Sequence, residues 1–266
     1  MNMAEVIRMI QISDIHLFGN QEKLLLGVKT QESFQATINS LKKKINKIDL
    51  MVLSGDLSQD GSIMAYEYLA DELKSFGIPI YWIAGNHDDM DMMKQVYPRE
   101  SMTNQKQIIL KKWQIILLNS QKPKAVEGYL TASELQYLRQ CLHSYPNHHT
   151  IIFFHHHPVS VGCGWLEPIG LQNATEFWEM IAPYPQIKGV FFGHVHQEFA
   201  QTIGNIPCYS APSTCFQFKP KQVSFALEKI PPGYRWIELH ANGCLKTAVE
   251  RAPQYIGTFD VNAKGY

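Results

Sequence analysis

Histidine is frequent in this chain, with 11 copies among 266 residues, and several of the copies fall at the ends of short apolar runs. Five such runs each end in Asp, Asn or His. The segments that follow them are Asp14-Ile15-His16, Gly55-Asp56, Gly85-Asn86-His87-Asp88, His155-His156-His157-Pro158 and Gly193-His194-Val195-His196. In α/β sheets the carboxyl ends of the strands form the crevice where ligands bind. We therefore expect these five segments to meet at one edge.

The residue types in these segments are those of a metal site. Carboxylates and neutral imidazoles bind Fe, Mn, Zn and related ions, and the mixture of oxygen and nitrogen donors without Cys argues against a structural zinc site. Asp14 and His16 are two residues apart, as are His194 and His196. On an extended segment that spacing places both side chains on one face. The sequence therefore predicts a shared metal site.

Each segment alone also has an ordinary structural interpretation. An isolated Asp14 or Asp56 is typical of a turn or a helix cap, and the pair His194 and His196 could be strand histidines with satisfied hydrogen bonds. Gly85-Asn86-His87-Asp88 is more specific, because a turn does not need His87. The five segments in order, each at the end of an apolar run, favour the metal site.

The elements that must position these residues are visible in the apolar patterns. Apolar runs predict buried strands at Val6–Ser13, Leu50–Ser54, Ile80–Ala84, Ile115–Asn119, Thr150–Phe154 and Val190–Phe192. Helical spacing relates two sets of apolar residues, Phe34, Ile38, Leu41, Ile45 and Tyr66, Leu69, Leu73, Phe76. A third helix is predicted to open with a capping box at Thr131–Glu134, and a fourth covers Ala174–Ile181.

The chain changes character after Gly193. Short strand-like runs punctuated by turns occupy Glu198–Ile203, Ile206–Ser210, Ser224–Lys229, Trp236–Leu239 and Leu245–Val249. Helices outside stacked sheets would accommodate both parts. The fold class is thus α/β or α+β with a two-sheet core. We expect residues 1–266 to form a single catalytic domain, in which about 220–266 is a strand-rich extension.

Composition limits the partners and the location. Lys and Arg number 24 and Asp and Glu number 24, so the formal charge is zero. This balance argues against a generally basic nucleic-acid-binding protein and a polybasic membrane anchor. The first residues do not read as a signal peptide, and no apolar run approaches the ~20 residues that span a bilayer. We expect a cytoplasmic protein whose five scattered cysteines are mostly buried free thiols. The oligomeric state is left open.

At the five segments the sequence resembles the calcineurin-like metallophosphoesterases, whose motifs Asp-x-His, Gly-Asp, Gly-Asn-His, His and Gly-His-x-His occur here in order. The resemblance implies a four-layer sandwich of two mixed β-sheets flanked by helices, with a dinuclear metal centre. One ion would be held by Asp14, His16, Asp56 and His196. The other would be held by Asp56, Asn86, His156 and His194. The family pattern places the fourth motif's ligand two residues before the proline, which selects His156 and leaves His155 for the core and His157 for the rim.

A closer resemblance, to the bacterial class III 3′,5′-cyclic-AMP phosphodiesterases, extends over nearly the whole chain. It includes Leu25–Val28, Gly162–Leu166, Ala211–Pro220, Pro232–Arg235 and Gly265-Tyr266. It implies hydrolysis of 3′,5′-cyclic AMP to 5′-AMP by a hydroxide bridging two divalent or mixed-valence ions, which would lower cellular cAMP. Fe and Mn are the favoured candidates for the two ions, and Zn and Co are alternatives. His87 would be the catalytic proton donor, and the substrate-binding residues would be His16, Asp56, Asn86, His87, His156 and His196.

Other functions are kept open. The same metal centre could serve another phosphodiester, a nucleotide pyrophosphate or a phosphomonoester, and a non-catalytic metal-dependent binding protein is a third hypothesis. Protein Ser/Thr phosphatases carry Asp-Arg-Gly where this chain has Gln59-Asp60-Gly61, so the Arg that grips phosphate is missing. Asp60 and Asp88 are expected to be solvated turn carboxylates. Two roles, recognition of the adenine base or packing, remain open for four residues: Trp165, Asn173, Phe216 and Phe218.

Overall fold

The computed structural model describes residues 6–44, 47–97, 101–255, 257–260 and 263–265. The strands within these ranges are β1 (Val6–Ile12), β2 (Leu50–Ser54), β3 (Ile80–Ile83), β4 (Met102–Thr103), β5 (Gln107–Leu110), β6 (Trp113–Leu117), β7 (His149–Phe153), β8 (Ile187–Phe192), β9 (Phe199–Ile203), β10 (Ile206–Ser210), β11 (Gln217–Phe218), β12 (Leu227–Glu228), β13 (Gly233–His240) and β14 (Leu245–Arg251). The α-helices are α1 (Thr30–Lys44), α2 (Ile63–Lys74), α3 (Met90–Val96), α4 (Ala132–Ser144) and α5 (Ala174–Ile181), and Glu167–Ile169 forms a 3₁₀ turn.

Most of the strands form two six-stranded sheets. The first has the order β14-β13-β1-β2-β3-β4 and the second has the order β5-β6-β7-β8-β10-β9, while β11 and β12 pair separately. In the first sheet β1 to β4 run parallel, and β13 lies antiparallel to β1. In the second sheet β6, β7, β8 and β10 run parallel between antiparallel edge strands. Both sheets are therefore mixed, as the sequence predicted.

Three apolar clusters hold the layers together. Between the sheets, buried residues such as Val52, Trp113 and Phe153 form one cluster. A second joins α1, α2 and α3 to the outer face of the first sheet. The third joins α4 and α5 to the outer face of the second sheet. The four-layer arrangement, with helices outside two packed sheets, confirms the predicted fold class.

The predicted elements are largely present. Phe34, Ile38 and Leu41 are buried on one face of α1, whereas Ile45 lies outside the described residues, as do residues 1–5 and Tyr266. The helix α3 and the short strands β4 and β5 were not predicted. The strand predicted at Ser224–Lys229 is reduced to the two residues of β12.

The predicted capping box at α4 forms only in part. The Thr131 hydroxyl accepts a hydrogen bond from the Glu134 N–H at 3.2 Å, as expected of an N-cap. The Glu134 carboxylate instead accepts a bond from the Asn119 N–H at 3.0 Å and pairs with Lys106 at 2.6 Å. Glu134 therefore attaches the helix to the loop after β6, rather than closing the cap.

Two expectations from composition can be compared with the structure. In the part of the chain that is described, none of the helices combines the length and the apolar character that a membrane crossing requires. All five cysteines are free thiols, of which Cys141, Cys163, Cys208 and Cys215 are buried and Cys244 is exposed. The expectation of buried free thiols is thus correct for four of them.

The cluster between the sheets contributes to stability through large buried rings. Phe153 is 0% exposed and its ring stacks on Phe191 with 4.9 Å between the centroids. We expect Phe153→Ala to lower the free energy of unfolding by about 3–5 kcal/mol, because it removes a large buried ring and leaves a cavity. Urea denaturation followed by circular dichroism measures this change. Val223→Ala, at an 84% exposed position, is the matched control with little expected effect; a loss below about 1 kcal/mol for Phe153→Ala would contradict the prediction.

Candidate metal centre

Parallel strands of both sheets deliver the candidate ligands to one edge. The segments after β1, β2 and β3 come from the first sheet, and those after β7 and β8 come from the second. Gln11, on β1, connects the two sheets beside this edge. Its side-chain amide donates to the Ser54 hydroxyl at 2.9 Å and to the Phe192 carbonyl at 3.0 Å. The strand ends are thereby held at a fixed separation.

The backbone at the candidate ligands is strained. Asp14, His16, Asp56, His194 and His196 have φ of 55°, 53°, 52°, 68° and 46°, a region that non-glycine residues rarely occupy. The expectation of extended Asp-x-His and His-x-His segments is therefore wrong in detail. Left-handed residues, rather than strand alternation, turn each pair toward a common point. Such strain concentrates at functional sites, where surrounding contacts maintain it.

Main-chain hydrogen bonds maintain these turns. The N–H groups of Ile15 and His16 both donate to the Asp56 carbonyl, at 2.8 and 3.0 Å. The Asp14 carboxylate accepts from the His194 N–H, at 2.9 and 3.1 Å. The loops after β1, β2 and β8 are thus joined directly to one another.

The first group of candidate ligands contains Asp14, His16 and His196, which are fully buried and contribute one ligand atom each within 4.8 Å of the others. The two Nε2 atoms of His16 and His196 are 3.1 Å apart. Their Nδ1 atoms face oxygen acceptors, at 2.6 Å from Gln59 Oε1 and 3.0 Å from the Phe216 carbonyl. When both Nδ1 atoms carry the hydrogen, the Nε2 lone pairs face each other, an arrangement that a cation would stabilise.

The second group is centred on Asp56. Its Oδ2 atom lies 3.2 Å from His155 Nε2 and 3.8 Å from His16 Nε2, so Asp56 stands between the two groups. His155 Nδ1 is 2.8 Å from the Ser54 carbonyl, so in the neutral ring Nδ1 carries the hydrogen and Nε2 carries the lone pair. Among the described residues the buried atoms Asn86 Oδ1 and His194 Nε2 have no hydrogen-bond partner. Buried polar atoms of this kind need a partner, and a second metal ion fits them.

His156, the predicted ligand, is placed differently. Its Nε2 donates to the Val126 carbonyl at 3.1 Å, and its Nδ1 lies 2.8 Å from the Ser120 hydroxyl. A neutral imidazole with both nitrogens used has no lone pair for a metal. As placed, His156 has both ring nitrogens hydrogen-bonded within the chain, yet its ligand atom also lies within 4.8 Å of those of His155 and His194. His156 therefore stays a predicted ligand, and His155, which also groups with Asp14 and Asp56, is a second candidate.

His157 also differs from expectation. The sequence placed it at the rim, but it is buried, and its ring stacks on His194 with 5.6 Å between centroids and 18° between planes. Neither ring nitrogen has a partner among the described residues. The ring therefore packs behind a candidate ligand instead of lining the opening.

The protonation states suit metal binding. Burial lowers the pKa of His16 to about 3 and holds the pKa values of His194 and His196 well below the ordinary range. Neutral imidazole is the form that binds metals. Burial also disfavours the charge on His155, but the adjacent Asp56 carboxylate raises its pKa to about 9. His155 and Asp56 thus share a proton, and a metal ion that binds between them would have to displace it.

Asp56 remains ionised in this environment. Burial alone would raise its pKa, but His155 and His87 hold the pKa of Asp56 well below its usual range. An ionised carboxylate can share its oxygens between two cations, which is the bridging role that the sequence suggested.

His87 lies beside the first group but is more accessible. Its ring meets that of His16 edge-on, with 4.9 Å between centroids, and its main-chain N–H donates to Asp56 Oδ1 at 2.9 Å. The side chain is partly exposed, unlike the buried ligands. Asp60 is an exposed turn carboxylate as expected, bonded to Gly19 and Ser62. Asp88 is 6% exposed, so the expectation of a solvated carboxylate was wrong there.

The aromatic candidates for base recognition pack instead. Phe216 and Phe218 are buried, and the Phe218 ring stacks on His196 with 4.3 Å between centroids. Trp165 contacts Phe218 edge-on at 4.7 Å. Asn173 exchanges hydrogen bonds with the main chain of Leu130. These side chains therefore support the loops around the site.

The comparisons with known proteins agree with this geometry. Residues 7–198 match the family model described as calcineurin-like phosphoesterase. The chain belongs to that family. It is 36% identical to the 3′,5′-cyclic adenosine monophosphate phosphodiesterase CpdA of Pseudomonas aeruginosa and 38% identical to CpdA of Escherichia coli strain K12, in each case over 98% of this chain and 95% of the relative. It is also 39% identical to the 3′,5′-cyclic-nucleotide phosphodiesterase alr5338 of Nostoc, over 95% of both chains.

A solved structure shares the fold at much lower sequence identity. The dimetal phosphatase from Danio rerio superposes with a TM-score of 0.63 at 13% identity, covering 92% of this chain and 99% of that one. The resemblance seen in the sequence motifs is thus confirmed at the level of family and fold.

Close backbone approach at Gly85 gives a test of the site. A Cβ atom there would lie 2.2 Å from Asp56 Oδ1 and 2.4 Å from Asp56 N. We expect Gly85→Ala to displace the Asp56 carboxylate and to weaken metal binding by about tenfold or more. The measurement is metal content by mass spectrometry after equilibrium dialysis. Gly77→Ala also strains the backbone, because Gly77 has a φ of 59°, but no atom lies within 4 Å of the added carbon. It is the control for a general loss of stability and should keep its metal. Unchanged metal content in Gly85→Ala would contradict the prediction.

Proposed function

We propose that this chain, acting as one catalytic domain over residues 1–266, hydrolyses 3′,5′-cyclic AMP to 5′-AMP at a centre of two metal ions. The observation that carries the proposal is that buried ligand atoms of Asp and His residues from different strand ends lie within 4.8 Å of one another. Several buried Asn and His atoms there have no hydrogen-bond partner among the described residues. The choice of substrate is supported by the similarity, over nearly the whole chain, to relatives named as cyclic-nucleotide phosphodiesterases.

The proposed ligand sets follow the geometry. One ion takes Asp14, His16, Asp56 and His196. The other takes Asp56, Asn86, His155 and His194, with His155 replacing the predicted His156. Two such ions would supply positive charge for phosphoryl oxygens and would lower the pKa of a bound water; Fe or Mn are the first candidates, with Zn or Co as alternatives.

The neighbours of the ligand imidazoles keep this centre positive. The Nδ1 atoms of His16, His155 and His196 face neutral carbonyl oxygens, those of Gln59, Ser54 and Phe216, rather than a carboxylate. Asp14 and Asp56 are the charged ligands in the proposed sets. An excess of positive charge therefore remains, which favours the anionic cyclic phosphate.

In the proposed reaction the phosphate docks beside His16, Asp56, Asn86 and His196. The oxygen of a water molecule, which releases one proton to solvent, bonds to phosphorus while the bond from phosphorus to the ribose 3′-oxygen breaks. His87 donates a proton to that oxygen, because an alkoxide is a poor leaving group. Its position next to His16 and Asp56 and its partial exposure support this role. In this proposal His156, which was also predicted to bind substrate, supports the adjoining loop through its contacts with Ser120 and Val126.

The balanced charge of the chain supports a small cyclic nucleotide as the partner, rather than a nucleic acid or a membrane surface. The expected site of action is the cytoplasm.

A substrate panel tests the proposed activity. Metal-reconstituted protein should turn over 3′,5′-cyclic AMP with a higher kcat/KM than 2′,3′-cyclic AMP, a linear diester or a phosphomonoester. 3′,5′-Cyclic GMP is included to measure base preference. If the monoester ranked at or above 3′,5′-cyclic AMP, the proposed substrate would be wrong although the metal centre would remain.

His87→Ala separates proton donation from metal binding. We expect both ions to be retained and kcat to fall by about 10²–10⁴-fold, since a general acid contributes that range. Metal content and steady-state kinetics on the same preparation provide the measurement. Loss of metal with unchanged turnover per remaining site would refute the assignment of His87.

The neighbours His155 and His156 form a matched pair for the ligand assignment. We expect His155→Ala to lose the ion shared with Asn86 and His194, because its Nε2 lone pair is removed. We expect His156→Ala to keep both ions, because its ring nitrogens are already hydrogen-bonded within the chain. Metal content per chain decides, and the reverse pattern would restore His156 as the ligand.

A further inference from the structure

Asp88 is a buried carboxylate with no place in the proposed chemistry. It follows His87 directly, yet its side chain points away from solvent and is 6% exposed. A buried carboxylate is costly unless hydrogen bonds satisfy its oxygens. Its contacts therefore indicate its role.

The Asp88 carboxylate gathers main-chain N–H groups from two different loops. Oδ1 accepts from the N–H groups of Leu57 and Ser58, both at 3.0 Å, in the loop that carries Asp56. Oδ2 accepts from the Gly85 N–H at 2.9 Å, in the loop that carries Asn86, and lies 3.1 Å from the Leu57 N. One carboxylate thus joins the loops that follow β2 and β3.

Tyr66, on α2, completes the arrangement. Its hydroxyl donates to Asp88 Oδ1 at 3.2 Å and accepts from the Asp89 N–H at 2.8 Å. The side chain is 0% exposed and belongs to the apolar cluster beneath the first sheet. The helix layer therefore fixes Asp88, and through it both loops.

We propose that Asp88, held by Tyr66, is a positioning residue that sets the separation of Asp56 and Asn86 and so determines affinity for the ion they share. This inference rests on the metal centre proposed above. Among the described residues, the hydrogen bonds of the Asp88 carboxylate go to main-chain N–H groups and to Tyr66, and not to the ligand atoms of the first group. Because Asp56 belongs to both proposed ligand sets and Asn86 to the second alone, the effect should be larger for the second ion. Turnover should change only through metal binding.

Asparagine at this position makes a sharp test. The side-chain amide has one acceptor oxygen, whereas the carboxylate uses both of its oxygens for different loops. In Asp88→Asn, the amide NH₂ must face main-chain N–H groups of one loop. We expect affinity for the ion shared by Asp56 and Asn86 to fall by about 10–100-fold, the usual loss when the outer contacts of a metal site are removed. The other ion should be less affected.

The experiment is a Mn²⁺ titration of metal-depleted full-length chain, with bound metal counted by mass spectrometry and kinetics on cyclic AMP measured in parallel. Asp88→Asn should bind one ion near the wild-type affinity and the second more weakly. Raising Mn²⁺ should restore kcat, while KM for cyclic AMP at saturating metal stays at the wild-type value. Tyr66→Phe should show a smaller shift in the same direction.

Asp89→Asn is the matched control, because Asp89 is exposed and caps α3, where asparagine caps as well as aspartate. It should bind both ions like the wild type. Wild-type binding of both ions by Asp88→Asn, or an equal loss of both, would overturn the proposal. Should Asp88→Asn fail to fold, Tyr66→Phe decides: unchanged affinity for the second ion overturns the proposal. The ion count does not depend on the substrate, so failure of cyclic AMP as substrate is a separate result.

Discussion

Buried acceptor atoms that face one another are the constraint around which this structure is arranged. His16 and His196 bring two imidazole nitrogens within 3.1 Å, and Asp56 approaches the ring nitrogen of His155 at 3.2 Å. In a poorly solvated interior such contacts are unfavourable without a cation or a proton between them. The fold therefore has to hold these groups together against their mutual repulsion before any ion is bound. A site held in this way has little reorganisation left to undergo when the ions enter.

The framework that withstands this repulsion is the pair of packed sheets. Apolar side chains fill the space between them, and polar contacts fix their relative position near the site. Gln11 connects the sheets beside the ligands. Farther away, buried Arg235 on β13 donates to the Ser210 carbonyl of the second sheet at 2.8 Å. The strained turns at the ligands are tolerated because the strands beneath them cannot shift.

Much of this arrangement could be predicted from the sequence. Apolar runs gave the principal strands, and the polar residues after them gave most of the proposed ligands, because strand ends of one sheet share an edge. The left-handed backbone at Asp14 and His196 could not be predicted, since Asp and His adopt it only in a small minority of cases, although more often than most residue types, and the surrounding hydrogen bonds maintain it here. The choice between His155 and His156 depends on contacts with Ser120 and Val126, which are remote in sequence. Asp88 seemed to be a surface residue because its partners are main-chain groups, which leave no pattern in the sequence.

The position of β1 has a consequence for how the chain acquires its structure. This first strand lies between β2 and β13, and Val6 pairs with His240 across almost the full length of the chain. During synthesis one edge of β1 has no neighbour until β13 has left the ribosome. Pairings between such distant segments form slowly, and an open strand edge can join with other chains in the meantime. The loop bearing Asp14 and His16 thus gains its final support only when the last strands arrive, so metal loading should follow completion of the polypeptide rather than accompany its emergence.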